Sequence, residues 1–200
     1  MGLTAHYFKN DGFLEDTLTE EQMSPIKKYV ETFDFEKAIP ANYALIGNIE
    51  QEYDIGELNK YIEELVLPYA YSYYKQFRSH DNDNPTNLRL EYAWLNFQKK
   101  HEFNPTHTHN GKISFVIYVK IPYNIQDEIN YPACKNSPRP LAGAFEFTYI
   151  SSLGIISSHS IPTDKHYENK IIIFPAQLNH SVYPFYTSDG YRITLAGNFN

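Results

Sequence analysis

The run Lys112-Ile-Ser-Phe-Val-Ile-Tyr-Val-Lys-Ile121 decides the fold. Val, Ile, Tyr and Phe suit a pleated, packed surface, and here they follow one another almost without a break. Four other runs read the same way: Leu88 to Phe97, which alternates in part, Ala144 to Ile150, Ile171 to Phe174 and Tyr191 to Phe199. Strands at this spacing, with turn signals between them, point to a β-sandwich or jelly roll rather than a βαβ fold. His80-Asp-Asn-Asp-Asn-Pro-Thr86 is a polar, turn-rich loop. Residues 122–142 hold four prolines and read as a long loop, of the kind that often serves as a lid or binding loop.

Upstream of these runs the texture is helical. Ile26, Val30 and Phe33 fall at helical spacing, with a start either at Ser24-Pro25 or near Thr19. In a second helix, Leu58, Ile62, Leu65, Tyr69, Tyr73 and Phe77 form one apolar stripe. Asp54 and Glu57 resemble its capping box, and Pro68 predicts a kink or break. The expectation is therefore a single domain over 1–200, mainly β with N-terminal helices: a helical brace over 1–85 and a barrel core over 86–200.

Charge and composition narrow the function. The net charge of −7 gives the surface no general attraction for duplex nucleic acid or anionic lipid. No apolar run approaches the roughly 20 residues that span a bilayer, and no secretory signal is visible. The single cysteine, Cys134, precludes an internal disulfide framework and suits a reducing cytoplasm. Eighteen Tyr and 13 Phe stand against one Trp. Strand packing accounts for most of them, and substrate clefts favour them too.

Two histidine-bearing segments carry the chemistry. Asn104-Pro-Thr-His107-Thr-His109 places two imidazoles at i and i+2, which on a strand point to one face. Phe174-Pro-Ala-Gln-Leu-Asn-His180-Ser-Val182 supplies a third, expected from a strand across the barrel. Imidazole suits Fe(II), Zn(II) and Cu(II) about equally, so the histidines alone do not select the metal. Arg192 and Thr194 share one face of the last strand, with Ile193 and Leu195 on the other. Together they suit the distal carboxylate of a dicarboxylic acid, because a guanidinium grips a carboxylate as a planar fork.

The run from Trp94 and Asn96 through Phe103-Asn104 and His107-x-His109 to Ser114-Phe-Val-Ile-Tyr118 resembles a family of 2-oxoglutarate/Fe(II)-dependent oxygenases, frequent in marine bacteria and their phages. Gly143-Ala-Phe-Glu-Phe147, Phe174 to Pro184, and Arg192, Thr194 and Asn198 continue the likeness, which covers roughly residues 90 to 199. The resemblance implies a double-stranded β-helix, a squashed jelly-roll barrel related to the cupins. It implies Fe(II) held by His107, His109 and His180, and 2-oxoglutarate chelating that iron. The distal carboxylate would meet Arg192 and Thr194. Tyr118 would add a hydroxyl, and Asn96 would orient the co-substrate or a ligand histidine. The implied reaction consumes O2 and 2-oxoglutarate, oxidises an unidentified substrate, and releases succinate and CO2. The implied setting is the cytoplasm, the host's for a phage-encoded chain. Some enzymes of this fold pair as homodimers through their N-terminal helices.

One departure matters. Oxygenases of this broad class carry a carboxylate two residues after the first histidine, and here His109 stands there. Either His109 ligates and the site is a neutral triad, or it lies outside the metal shell and water or Glu146 completes it. Two rival readings remain: a three-histidine cupin-type metalloenzyme without 2-oxoglutarate, and a jelly-roll binding or virion protein with incidental histidines.

Overall fold

A computed structural model describes residue 4, residues 11–78 and residues 87–200 of the chain. The proposed loop at 80–86 lies outside these residues. In chain order the elements are β1 (Leu14–Thr17), α1 (Glu20–Glu31), β2 (Glu52–Asp54), α2 (Asn59–Tyr73), β3 (Leu90–Gln98), β4 (Asn104–His107) and β5 (Ile113–Lys120). They continue with α3 (Ile125–Ile129), β6 (Ala144–Ile150), β7 (Ile156–Pro162), β8 (Lys170–Pro175), β9 (Asn179–Val182) and β10 (Arg192–Phe199). The strands form two antiparallel sheets. The large one runs β1-β8-β5-β10-β3-β2 and the small one β4-β9-β6-β7. This is the double-stranded β-helix expected from the sequence.

The inner strands β5 and β8 of the large sheet are buried on both faces, which explains why they read as continuous apolar runs. The sheet's outer face offers Phe115, Ile117, Ile171, Ile173 and Leu195 to Met23 and Ile26 of α1 and to Ile62, Val66 and Ala70 of α2. Each of these side chains larger than alanine contributes about 1.5–3 kcal/mol by leaving water. Its inner face meets the small sheet, where Tyr118, Ile172 and Phe174 pack with Phe145 and Phe147.

Cross-strand register then aligns polar residues on the inner face. Thr194 of β10 is the partner of Asn96 on β3 and of Tyr118 on β5, so the three side chains form one row across the sheet. Arg192 is the partner of Gln98 in the next row. Glu52 of the edge strand β2 extends the first row through its pairing with Asn96.

Several local expectations change. Helix α1 starts at Thr19, where a capping box with Gln22 satisfies the first turn, and Pro25 sits inside the helix. Asp54 does not cap α2. It is held in β2 opposite Trp94, and its Oδ1 accepts from the Gly56 amide at 2.6 Å. Helix α2 runs through Pro68 without a break. The proline-rich loop contains the short helix α3, and the N-terminal third adds edge strands β1 and β2 to its helices. Among the described residues, no helix is long and apolar enough to cross a membrane.

Candidate metal centre

Strands β4 and β9 pair directly, and His107 and His180 are cross-strand partners with ring centroids 4.2 Å apart. The third histidine therefore comes from the adjacent strand of the same sheet, not from across the barrel. The approach is that of antiparallel partners, whose Cα atoms lie about 4.5–5.5 Å apart. His109 lies beyond the end of β4, but its backbone N–H donates to the Ala176 carbonyl at 2.8 Å. That bond holds the His109 ring 4.9 Å from His107 and 5.0 Å from His180. One ring nitrogen from each of the three falls within 4.8 Å of the others, and among the described residues no carboxylate joins them.

Two rings have their tautomers fixed by geometry. His107 Nδ1 faces the Pro105 carbonyl at 2.7 Å, and His180 Nδ1 faces the Leu178 carbonyl at 2.8 Å. A carbonyl only accepts, so each Nδ1 carries the hydrogen and each Nε2 keeps a free lone pair, the state a metal requires. Burial holds the His107 pKa below its ordinary value. It pushes His109 down to about 4, helped by repulsion from His107, and His180 to about 3, helped by repulsion from both other rings. All three are neutral at physiological pH, so a metal displaces no ring protons there. Phe145 stacks on His180, Phe174 meets that ring edge-on, and Trp94 packs 5.4 Å from His109.

Asn96, Tyr118, Arg192 and Thr194 line the same pocket as the three histidines, so the fold brings together all seven sequence-predicted site residues. The Trp94 indole N–H donates to Asn96 Oδ1 at 3.1 Å, and Asn96 Nδ2 donates to Thr194 Oγ1 at 3.0 Å. An indole only donates, which fixes the orientation of the Asn96 amide. Asn96 thus connects Thr194 to Trp94, whose ring lies 5.4 Å from that of His109. Burial raises the Tyr118 pKa well above the usual tyrosine range, so its hydroxyl keeps its proton.

Arg192 is 2% exposed. Its Nε and Nη2 both donate to Gln98 Oε1, at 3.0 and 2.6 Å. Nη1 donates to the Tyr123 hydroxyl at 2.8 Å and the Gly143 carbonyl at 3.0 Å, and Nη2 also donates to the Tyr183 carbonyl at 2.9 Å. The ring of Phe185 lies 5.7 Å from the guanidinium carbon. Gly143 has φ of 72°, a left-handed conformation that a side chain would strain, and it aims its carbonyl at the guanidinium. Every one of these acceptors is neutral. A buried cation without a counter-ion is costly, and a carboxylate in the pocket would relieve that cost.

Glu146 plays no part in the histidine cluster. It sits between Phe145 and Phe147 on β6, facing away from the barrel, and pairs with Arg139, Ser160 and Tyr183. Gln98, Tyr123 and Tyr183 escaped the sequence reading. Only Gln98 carried a signal, two residues beyond Asn96 on the same face of β3. Asn198 bonds Ser114 on the neighbouring strand at 2.7 Å, a packing role within the large sheet.

A family model described as "Putative 2OG-Fe(II) oxygenase" matches residues 92–198. No curated protein sequence matches the chain. Among solved structures it is similar to a prolyl-4-hydroxylase from Pseudomonas putida, with 13% identity over 95% of this chain and 93% of that one, at a TM-score of 0.58. It is also similar to an oxidoreductase of the 2OG-Fe(II) oxygenase family from Burkholderia pseudomallei, with 10% identity, coverage of 98% and 95%, and a TM-score of 0.55. A third is HygX from Streptomyces hygroscopicus with nickel and 2-oxoglutarate bound, at 13% identity, coverage of 95% and 83%, and a TM-score of 0.55. At these identities the solved structures establish the fold alone. The sequence match spans more than half of the chain and takes in the three histidines, Asn96, Tyr118, Arg192 and Thr194, and on that ground the protein belongs to the 2OG-Fe(II) oxygenase family.

Proposed function

We propose that the chain oxidises an unidentified substrate using Fe(II), 2-oxoglutarate and O2, releasing succinate and CO2. The observation that carries this reading is Arg192, a buried cation that has no acidic partner among the described residues and lines the same pocket as three neutral imidazoles. His107, His109 and His180 hold the metal. Three protein ligands leave coordination positions open. When bound, the iron and 2-oxoglutarate supply the oxidising power, as decarboxylation of the keto acid drives insertion of an oxygen atom from O2 into a substrate C–H bond.

The remaining work belongs to the protein. Arg192 and Thr194 grip the distal carboxylate, and Tyr118 offers its hydroxyl from the same row. Asn96 holds the Thr194 hydroxyl in place through its amide. Phe145, Phe174 and Trp94 shield the metal side of the pocket from water. The half-buried free thiol of Cys134 fits a reducing compartment, the cytoplasm. A cupin-type enzyme that dispenses with 2-oxoglutarate shares the all-histidine set but has no use for Arg192.

The test is anaerobic loading with Fe(II), addition of 2-oxoglutarate and O2, and measurement of succinate. Uncoupled turnover should release succinate even without substrate, and His180→Ala should abolish it. Iron-loaded protein that neither binds 2-oxoglutarate nor forms succinate would refute the reading.

A further inference from the structure

We infer that Gln98 is a placeholder on Arg192, occupying the seat of the co-substrate's distal carboxylate and yielding it only to an anion. The inference rests on the assignment of Arg192 as the carboxylate anchor. The Nε–H and one Nη2–H of a guanidinium form the fork that a carboxylate grips with two oxygens. In this chain both donors converge on one atom, Gln98 Oε1, at 3.0 and 2.6 Å. The other three donors are spent on Tyr123, Gly143 and Tyr183. No donor is left over, so a carboxylate reaches Arg192 only where an acceptor gives way.

Elimination identifies which acceptor moves. The Gly143 and Tyr183 acceptors are backbone carbonyls. The Tyr123 hydroxyl is 3.3 Å from the Gly143 carbonyl and 3.4 Å from Thr163 Oγ1, and its ring stacks on Phe185. Gln98 alone among the four is a flexible side chain on the pocket wall. One further bond retains it, from its Nε2 to the Glu102 carbonyl at 2.6 Å.

A neutral amide satisfies the hydrogen-bond geometry of Arg192 but not its charge. A carboxylate satisfies both, so an anion displaces Gln98 where water or a neutral ligand does not. The consequence is selectivity. A keto acid with a second carboxylate gains the charge pairing that offsets the displacement, and one lacking it leaves Gln98 in place.

The experiment is calorimetric binding of 2-oxoglutarate and of pyruvate, which has no distal carboxylate, to Mn(II)-loaded full-length protein. Gln98→Ala removes the competitor, and 2-oxoglutarate should bind about 10- to 100-fold tighter, the worth of a hydrogen bond to a charged group. Gln98→Glu sets a permanent carboxylate on the fork and should weaken 2-oxoglutarate binding on the order of 100-fold. Pyruvate affinity should not change in either variant, which also reports that the pocket is folded. Weaker 2-oxoglutarate binding by Gln98→Ala would show that Gln98 merely braces Arg192, and would overturn the inference. Unchanged binding by Gln98→Glu would overturn it too. Arg192→Met separates the two levels. If it binds 2-oxoglutarate as well as the unaltered protein, the anchor assignment itself is wrong; if it binds weakly while Gln98→Ala also binds weakly, only the placeholder fails.

Discussion

Replacing Glu52 with Gln should stabilise the metal-free protein at pH 8 and leave it nearly unchanged at pH 4.5. Glu52 is 1% exposed. Its Oε2 accepts from Asn42 Nδ2 at 3.2 Å, while its Oε1 has no donor. Burial, with Glu102 nearby, raises its pKa from 4.5 to about 7. The native state therefore holds a proton between pH 4.5 and about 7 that the unfolded chain has released, so stability falls as pH rises through that window. At about 1.4 kcal/mol per pH unit, the full penalty above pH 7 is about 3 kcal/mol. Gln keeps the shape and removes the charge. Its amide also reaches toward Asn104 Oδ1, a second buried acceptor without a donor. The two orphans meet around Gly47, where a Cβ would stand 2.3 Å from Asn104 Oδ1 and 3.2 Å from Glu52 Oε1. For a domain of this size the gain should appear as a rise in melting temperature of roughly 6–12 °C at pH 8. Thermal unfolding of both proteins in chelator is the assay, because bound ligand would add its own stabilisation. The histidines titrate alike in both, so they cancel in the difference. If the gap between the variants at pH 8 equals the gap at pH 4.5, Glu52 is not the strained acid described here.

Three further outcomes are expected. Arg192→Lys keeps the charge but loses the fork, and 2-oxoglutarate affinity should fall about 10- to 100-fold by calorimetry, the worth of one charged hydrogen bond at roughly 1.5–3 kcal/mol; an unchanged affinity would release Arg192 from its assigned role. In anaerobic iron titration, His180→Ala and His109→Ala should lose metal, whereas His109→Asp should keep it because a carboxylate replaces the imidazole; full retention by His109→Ala would remove His109 from the ligand set. Gly197→Ala places a methyl 2.7 Å from the Phe115 ring and 2.8 Å from the Tyr92 carbonyl, and should cost about 1–3 kcal/mol in chemical denaturation, since the backbone contact cannot move aside.

What the sequence made legible follows from burial. Strands β5, β6, β8 and β10 lie inside the sheets, and their apolar side chains declare them. Strand β7 is the polar Ile-Ser-Ser-His-Ser-Ile-Pro162 at the edge of the small sheet, and β1 and β2 are short, acidic edges of the large one. Edge strands need little apolar surface and avoid displaying it, so no periodicity betrayed them. The site residues were readable one strand at a time, because alternation fixes which side chains share a face. Which strands neighbour one another is a matter of topology, and that is why His180 was expected across the barrel. Gln98 was hidden for a related reason: its meaning comes from Arg192, its partner across two strands far apart in sequence.

The direct pairing of β4 with β9 bears on how the protein comes apart. A metal held by His107 and His180 ties together two strands joined by a long stretch of chain, including β5 to β8. It acts as a reversible cross-link closing that loop, and such closures stabilise by denying the unfolded chain its freedom. Parting β4 from β9 would strip such an ion of its ligands, so unfolding of the small sheet and release of the metal would become a single event. A cell starved of iron would then hold this protein in a looser form, more readily cleared by proteases than the loaded one.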